Sequence, residues 1–184
     1  NMTVLAPKND RELEEMLVFA VSFDGPIAIR YPRGSAHQGL REYQAPVEYG
    51  RSEIIRKGKK IAVLGVGSMI PSCMEICKGL KDDGYDPTFV NARFVKPLDV
   101  DLLDELAKDH SLFVTVEENV KSGGYGEHVS AYMEACHPEI RVLSAAVWDR
   151  FVPQGNVESL RSRIGLGVED IRQAIEDSEE LREQ

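Results

Sequence analysis

The sequence has few cysteines, no long apolar run and no basic segment, and each absence excludes a class of protein. No apolar stretch reaches the roughly 20 residues that span a bilayer, so we expect no membrane-spanning helix. The 184 residues include 22 Lys and Arg against 31 Asp and Glu, a net charge of −9, and the basic residues are dispersed. Nucleic acids and anionic membranes bind basic faces, so we expect neither as a partner.

The cysteines do not form a disulfide or metal pattern. Cys73, Cys77 and Cys136 are an odd number for a disulfide scaffold. Cys73 and Cys77 are four residues apart on a predicted helix, but no second Cys or His pair lies nearby to complete a zinc site. We therefore expect reduced thiols and no metal, which is typical of a reducing, cytosolic compartment.

The part of the chain after residue 50 alternates strands with helices, which predicts a mostly parallel sheet covered on both faces. Segments 52–56 and 61–65 flank Lys57-Gly58-Lys59-Lys60, so we expect them to form a hairpin and make one edge strand antiparallel. The other predicted elements are helix 70–83, strand 88–91, helix 100–110, strand 112–116, a helix from the glycine-rich turn to His137, strand 140–143 and helices within 157–182.

The first 34 residues predict a strand at 4–6, a helix capped by Asn9 or Asp10, and a strand at 27–29. Apolar residues at helical spacing indicate one buried stripe on this helix: Leu13, Met16, Leu17, Ala20 and Val21. The chain begins in strand-like sequence without a signal peptide, so we expect a longer protein.

A change of composition between residues 35 and 50 indicates a linker, and we place a domain boundary near residue 42. The two predicted units are residues 1–41 and 42–184, and the acidic tail after about residue 176 should be weakly ordered. Two strands and one helix cannot build a core alone. Residues 1–41 should therefore pack on the second unit, swap between chains or be poorly ordered.

Five segments together resemble the C-terminal end of the 1-deoxy-D-xylulose-5-phosphate synthases, a family of the transketolase-like superfamily. The resemblance covers nearly the whole chain, and its strength lies in the order and spacing of motifs that are each weak alone. The segments are 4–8, 27–34, Asn-Ala-Arg-Phe-Val-Lys-Pro-Leu-Asp at 91–99, Thr-Val-Glu-Glu-Asn at 115–119 with Gly123 and Gly124, and Asp-Arg-Phe-Val-Pro-Gln-Gly at 149–155.

The resemblance implies that residues 1–41 end a pyrimidine-binding domain and that residues 42–184 form a transketolase-like C-terminal domain. That domain would be a three-layer α/β/α unit with a mostly parallel five-stranded sheet and one antiparallel edge strand. The full-length enzyme would use thiamine diphosphate and Mg²⁺ to decarboxylate pyruvate and join the two-carbon unit to glyceraldehyde 3-phosphate. It would release 1-deoxy-D-xylulose 5-phosphate and CO2, as a homodimer in the bacterial cytoplasm or the plastid stroma.

The family's Gly-Asp-Gly motif, its cofactor-binding glutamate and its active-site histidines have no counterparts in these 184 residues. Thiamine chemistry needs the cofactor held and oriented by the protein. The resemblance therefore implies no catalytic, cofactor-binding or metal-binding residue in this chain, no bound cofactor, and no activity of the chain alone.

Arg33 is the candidate substrate-binding residue. It follows a predicted strand between Pro32 and Gly34, and ligands gather at the carboxyl ends of strands in open α/β sheets. Its guanidinium could bind a phosphate through two hydrogen bonds, or form a surface or interdomain salt bridge. The resemblance implies contact with the phosphate of glyceraldehyde 3-phosphate. By strand alternation, Arg30 should point to the opposite face and form an ion pair.

Two further motifs have a chemical and a structural interpretation. Glu117 and Glu118 could serve acid–base chemistry or hold Mg²⁺, but neighbours on a strand face opposite ways, which favours a capping or interdomain role. The glycine-rich turn at 123–126 could bind an anion through backbone N–H groups, but close strand–helix packing explains three glycines equally simply.

Other functions fit the same pattern. The chain could belong to transketolase itself or to the β-subunit of a decarboxylating 2-oxo-acid dehydrogenase, because they share the C-terminal domain architecture. It could also be a free-standing module for oligomerisation or for binding a regulatory metabolite at the switch point of its sheet.

Overall fold

A computed structural model describes residues 1–178 and shows an α/β chain with two sheets. Its elements are β1 Thr3–Leu5, α1 Asp10–Ser22, β2 Ile27–Ile29, β3 Glu53–Arg56, β4 Lys60–Gly65, a 3-10 turn Gly67–Met69, α2 Ile70–Asp82, β5 Thr88–Asn91, β6 Phe94–Lys96, α3 Val100–Ala107, β7 His110–Val120, α4 Tyr125–Cys136, β8 Arg141–Val147, α5 Val157–Arg163 and α6 Val168–Glu176. No helix in this part of the chain is long and apolar enough to cross a membrane.

The larger sheet has five strands in the order β3-β5-β4-β7-β8. Strand β4 pairs in parallel with β5 and β7, β7 pairs in parallel with β8, and β3 is antiparallel to β5. This confirms a mostly parallel five-stranded sheet with one antiparallel edge strand. The predicted hairpin of β3 with β4 is wrong, because β5 lies between them. The apolar β4 is buried on both faces and therefore takes a central place, where parallel strands belong.

Alternate residues of the central strands fill two cores. On one face Ile61 and Val63 pack against α2 and α6, where Cys73 and Cys77 are buried. On the other face Ala62 and Leu64 pack against α3 and α4. Successive strand residues point to opposite faces, so these apolar runs produce the three-layer arrangement that was expected.

The first two strands form a smaller sheet in the order β2-β1-β6, with β1 parallel to β2 and antiparallel to β6. A small core of Leu5, Met16 and Phe94 lies under α1. The expected buried stripe on α1 is wrong: Met16 is buried, whereas Leu17 and Val21 are 50% and 90% exposed. Phe19 also packs against the small core, whereas Leu17, Val18 and Val21 stay exposed.

Residues 1–41 pack on the rest of the chain, which was one of the three expected arrangements. Their sheet is completed by β6, which belongs to the other predicted unit. The boundary near residue 42 stays a prediction. Most of the predicted tail after residue 176 lies beyond Ser178 and so outside the described residues. The end of the helical region predicted to reach residue 182 lies there as well.

A buried ion cluster joins the N-terminal segment to the large sheet. It consists of Lys8, Glu12, Glu53, Asn91 and Arg93, each 4% exposed or less. Glu12 accepts hydrogen bonds from Lys8 Nζ at 2.9 Å and from Arg93 Nε at 2.7 Å. Glu53 lies 2.7 Å from Lys8 Nζ and 3.2 Å from Arg93 Nη2. Two carboxylates therefore balance two cations in the cluster.

The segment before β3 is held by the same arginine. Arg93 donates to the carbonyl oxygens of Pro46 at 2.9 Å and Ala45 at 2.7 Å. Burial raises the pKa of Glu53, but hydrogen bonds from Lys8 and Asn91 and the charge of Arg93 outweigh it, so the pKa lies below its usual value.

His110 does not end a helix, as was predicted, but begins β7. Its Nδ1 lies 2.8 Å from the carbonyl oxygen of Leu106, and its Nε2 lies 2.6 Å from the hydroxyl of Thr88. Burial lowers the pKa of His110, against smaller opposing effects of that carbonyl and of Asp109. The folded chain therefore favours the neutral form of this ring.

We expect Glu12→Ala to lower the free energy of unfolding by about 3–5 kcal/mol, because Lys8 and Arg93 would lose a buried counter-ion. Urea unfolding at pH 7 measures the change. Glu15→Ala is the matched control, since Glu15 lies on the same helix in an exposed pair with Arg11 and should cost less than about 1 kcal/mol. Equal effects of the two substitutions would contradict a stabilising role of the cluster.

We expect the stability of the chain to fall as the pH drops below about 6.5, the usual pKa of histidine. The unfolded chain protonates His110 at a higher pH than the folded chain, so it binds more protons in this range. Urea unfolding of the unaltered chain and of His110→Gln, each at pH 7.5 and pH 5.5, measures the effect. The substitution should reduce the difference between the two pH values, and an undiminished difference would exclude His110 as its source.

Candidate functional site

A cavity of about 640 Å³ lies between the N-terminal segment and the large sheet. Its walls come from the ends of β1 and β2, the loop at 30–37, the turn after β4, and α5. The polar side chains on its walls include Arg30, Arg33, His37, Ser68, Glu118 and Arg161. The cavity therefore gathers basic groups from both predicted units of the chain.

Arg33 reaches this cavity because β2 stops early. The backbone N–H of Arg30 donates to the carbonyl oxygen of Leu5 at 2.8 Å, and regular strand pairing ends at Ile29. Gly34 has a φ of 121°, which a residue with a side chain rarely adopts, so the chain turns sharply after Arg33. Within residues 1–178, no carboxylate lies within ion-pair distance of Arg33. The salt-bridge alternative therefore has no partner in the described part of the chain.

The loop after Arg33 is attached to the start of α1. Asn9 caps that helix, and its side-chain amide donates to the carbonyl oxygen of Gly39 at 2.9 Å. The N–H of Asp10 donates to the carbonyl oxygen of His37 at 3.1 Å. These contacts hold the loop over the cavity and place His37 on its wall.

Arg30 lines the same cavity as Arg33, although alternation along an extended strand predicted that the two side chains would point to opposite faces. Alternation requires an extended strand, and residues 30–33 lie beyond the end of β2. Among residues 1–178, Arg30 has no ion pair within 4 Å, although its charge acts on Glu118.

Glu118 joins the large sheet to α5 at the cavity wall. It accepts two hydrogen bonds from Arg161, at 3.2 Å from Nε and 2.8 Å from Nη2, and one from Ser68 at 3.0 Å. Burial raises the pKa of Glu118, but the hydrogen bonds and charge of Arg161, with smaller effects of Ser68 and Arg30, lower it below its usual value. The carboxylate is therefore ionised and holds Arg161 in place.

Glu117 faces the other way and caps α4. Its carboxylate is fully buried and accepts the N–H groups of Tyr125 at 3.0 Å and Gly126 at 2.8 Å. A side chain on Gly126 would collide with Ser144 and Thr115. The glycine-rich turn thus brings α4 close to the sheet. The N–H groups at the start of α4 already have the Glu117 carboxylate as their acceptor.

The three cysteines are free thiols, two of them buried in the core. Residues 1–178 contain no group of three or more His, Cys, Asp or Glu side chains that could hold a metal ion. Arg33 was predicted from the sequence as a site residue. Its position in one cavity with Arg161, Glu118 and His37 was not predicted. Only the packing of α5 and the loop brings these distant positions together, and no local motif signals it.

Residues 50–171 match the family described as transketolase, C-terminal domain. The chain belongs to this family. It is 43% identical over 92% of its length to a 1-deoxy-D-xylulose-5-phosphate synthase of Lachnoclostridium phytofermentans, and 40% identical over 95% to that of Dictyoglomus thermophilum. It spans only 27% and 28% of those two proteins.

Two solved structures resemble the fold. A split-gene transketolase, described as an inactive beta4 tetramer, superimposes with a TM-score of 0.87 at 27% identity, over 99% of this chain and 58% of that one. A transketolase of Campylobacter jejuni gives a TM-score of 0.67 at 15% identity, over 97% of this chain and 26% of that one. The second likeness shows the fold alone.

We expect Glu117→Gln to destabilise the chain by about 1–3 kcal/mol, because the two N–H groups at the start of α4 bond different carboxylate oxygens and glutamine replaces one of these oxygens with an NH2 donor. Glu118→Gln, the neighbour on the opposite face in a partly exposed pair, should cost less than about 1 kcal/mol. Thermal and urea unfolding of both variants test this. A larger loss for Glu118→Gln would argue against the capping role of Glu117.

Proposed function

We propose that this chain is the C-terminal part of a 1-deoxy-D-xylulose-5-phosphate synthase and that Arg33 binds the phosphate of glyceraldehyde 3-phosphate. The full-length enzyme would condense this aldehyde with the two-carbon unit of pyruvate and release CO2. The proposal rests chiefly on Arg33, a guanidinium without a carboxylate partner in residues 1–178, held on a cavity wall at the end of a strand. The similarity to the synthases along more than nine tenths of the chain supports the choice of reaction.

Arg33 would act by binding and orientation. A guanidinium can donate two parallel hydrogen bonds to one phosphate, which fixes the direction of the rest of the substrate as well as its position. Holding the aldehyde end of the substrate in a reactive orientation removes much of the entropy cost of a reaction between two molecules.

The cofactors of the full-length enzyme would be thiamine diphosphate, which stabilises the carbanion formed on decarboxylation, and Mg²⁺. The described residues offer no metal-ligand cluster, so they do not fit the Mg²⁺–diphosphate group. We place the residues that hold both in the part of the protein that precedes this chain. The chain alone is then inactive.

We further propose a homodimer in the bacterial cytoplasm or the plastid stroma. Leu17, Val18 and Val21 form an exposed apolar face on α1, which a further domain or a second subunit would cover. Strand β2 has one edge without a strand partner in residues 1–178, where further strands of a pyrimidine-binding domain would pair. Free thiols fit a reducing compartment.

The rival functions differ in whether one reading frame or two encode this chain and the diphosphate-binding domain. A synthase would carry the diphosphate-binding domain upstream in the same reading frame. A separate chain for that domain would favour a 2-oxo-acid dehydrogenase or a transketolase encoded by a split gene, as one similar structure is described. The reading frame upstream of residue 1 decides between them.

In the full-length enzyme, we expect Arg33→Ala to raise the KM for glyceraldehyde 3-phosphate roughly tenfold or more, about 1.4 kcal/mol, and to leave the KM for pyruvate nearly unchanged. The reason is the loss of a charge-assisted phosphate contact from only one of the two substrates. Steady-state kinetics with each substrate varied in turn measure both constants. Arg11→Ala, an exposed arginine on α1 away from the cavity, is the control. A KM for glyceraldehyde 3-phosphate within error of the unaltered enzyme would remove the assignment.

A further inference from the structure

The ionised groups on the cavity wall do not balance each other. Lys8 lines the cavity, but the two carboxylates of the buried ion cluster balance its charge and that of Arg93. The wall carries three guanidinium groups, those of Arg30, Arg33 and Arg161. Glu118 is the one carboxylate there among the described residues. The cavity therefore has a surplus of two positive charges, in a chain whose net charge is −9.

Arg161 is held in an orientation that leaves donors available. A guanidinium has five N–H donors in a rigid plane. Glu118 takes one from Nε and one from Nη2. No other hydrogen-bond acceptor for Arg161 is found in residues 1–178, so its Nη1 edge and the remaining Nη2 hydrogen can bind a ligand. Glu118 thereby fixes the plane of the guanidinium without occupying it fully.

Arg30 and Arg161 act on the same carboxylate from different parts of the chain. Arg161 comes from α5 and Arg30 from the end of β2. Both lie close enough to Glu118 for their charges to affect its ionisation. Arg33 lines the same space three residues after Arg30. The two walls of the cavity therefore present basic groups toward one volume.

We infer that Arg161 and Arg30 join Arg33 in one binding site for a phosphate monoester dianion, with Glu118 as the residue that positions Arg161. This deepens the proposed function and rests on it, since it takes the Arg33 cavity as the phosphate site. The C-terminal domain then contacts the substrate directly through α5. From the sequence, Arg33 was the one candidate substrate-binding residue, and it lies outside this domain.

The chemistry of the wall selects this ligand class over other anions. A phosphate monoester carries close to two negative charges at neutral pH and matches the surplus, whereas a carboxylate carries one. Three guanidinium groups suit the three terminal oxygens of a phosphate monoester. The volume of about 640 Å³ accommodates a small phosphorylated metabolite. A nucleic acid would be repelled by the acidic remainder of the surface.

Titration calorimetry of the 184-residue chain with glycerol 3-phosphate, inorganic phosphate and glycerol tests the site. We expect glycerol 3-phosphate to bind, inorganic phosphate to bind more weakly, and glycerol to give no heat. Inorganic phosphate binding as tightly as glycerol 3-phosphate would assign the site to free phosphate and overturn a substrate role for it. No binding of either phosphate by the unaltered chain would overturn the inference itself.

Variants of α5 separate Arg161 from general charge effects. We expect Arg161→Gln to weaken binding of glycerol 3-phosphate about tenfold, the usual effect of losing one charge-assisted contact. Arg161→Lys keeps the charge but loses the planar guanidinium that Glu118 orients. Its affinity for glycerol 3-phosphate should therefore lie between that of the unaltered chain and that of Arg161→Gln. Arg163→Gln, an exposed arginine of the same helix off the cavity wall, is the matched control and should bind normally. Circular dichroism of each variant confirms that the chain is folded.

The outcomes distinguish this inference from the proposed function. If Arg33→Gln weakens binding and Arg161→Gln does not, the inference fails and the role of Arg33 stands. If Arg161→Gln weakens binding but the kinetic test of Arg33 in the full-length enzyme fails, the cavity binds phosphate and the substrate assignment is wrong. Equal losses in Arg161→Gln and Arg163→Gln would show only a long-range charge effect and would overturn the inference.

Discussion

The fold depends on one buried electrostatic arrangement, in which Glu12 and Glu53 bind Lys8 and Arg93 between the two sheets. Each ion would be costly to bury alone, because removal from water costs several kcal/mol. Together they satisfy one another, and Asn91 donates to both carboxylates. The N-terminal segment has only a small apolar core of its own, so specific polar contacts fix its place on the large sheet.

The cavity is a consequence of that placement. Lys8 and Glu12 anchor the start of α1, and the first turn of α1 holds the loop that follows Arg33. The opposite wall comes from the 3-10 turn after β4, from Glu118 and from α5. Of the three guanidinium groups on these walls, that of Arg161 is fixed by Glu118, and the backbone of Arg30 is held by the carbonyl oxygen of Leu5.

Much of the fold could be predicted from the sequence, because apolar runs such as 61–64 identify buried strands without any tertiary information. The order of the strands could not be predicted in this way. The segment at 57–60 is short enough for a hairpin, and only the packing of the whole sheet places β5 between β3 and β4. The apolar spacing of α1 led to the wrong expectation of a buried stripe. That spacing cannot show whether Leu17 and Val21 meet their own chain or another surface.

The candidate site was predictable only in part, for a similar reason. Arg33 lies in a strand-end motif that a reader of the sequence can recognise, whereas Arg161 lies on an ordinary helix far along the chain. Segment 91–99 was identified from the sequence only as a family motif, and its Arg93 lies in the buried ion cluster. Its partners Glu12 and Glu53 belong to different elements, so no spacing rule joins them.

Strand β6 connects the two sheets of the chain. It follows β5 by two residues yet pairs with β1 in the other sheet, so backbone hydrogen bonds connect the two predicted units of the chain, in addition to the segment at 35–50. A chimaera that joins two members of this family at the linker would provide β1 from one parent and β6 from the other. Such a chimaera would need the same register between β1 and β6 in both parents.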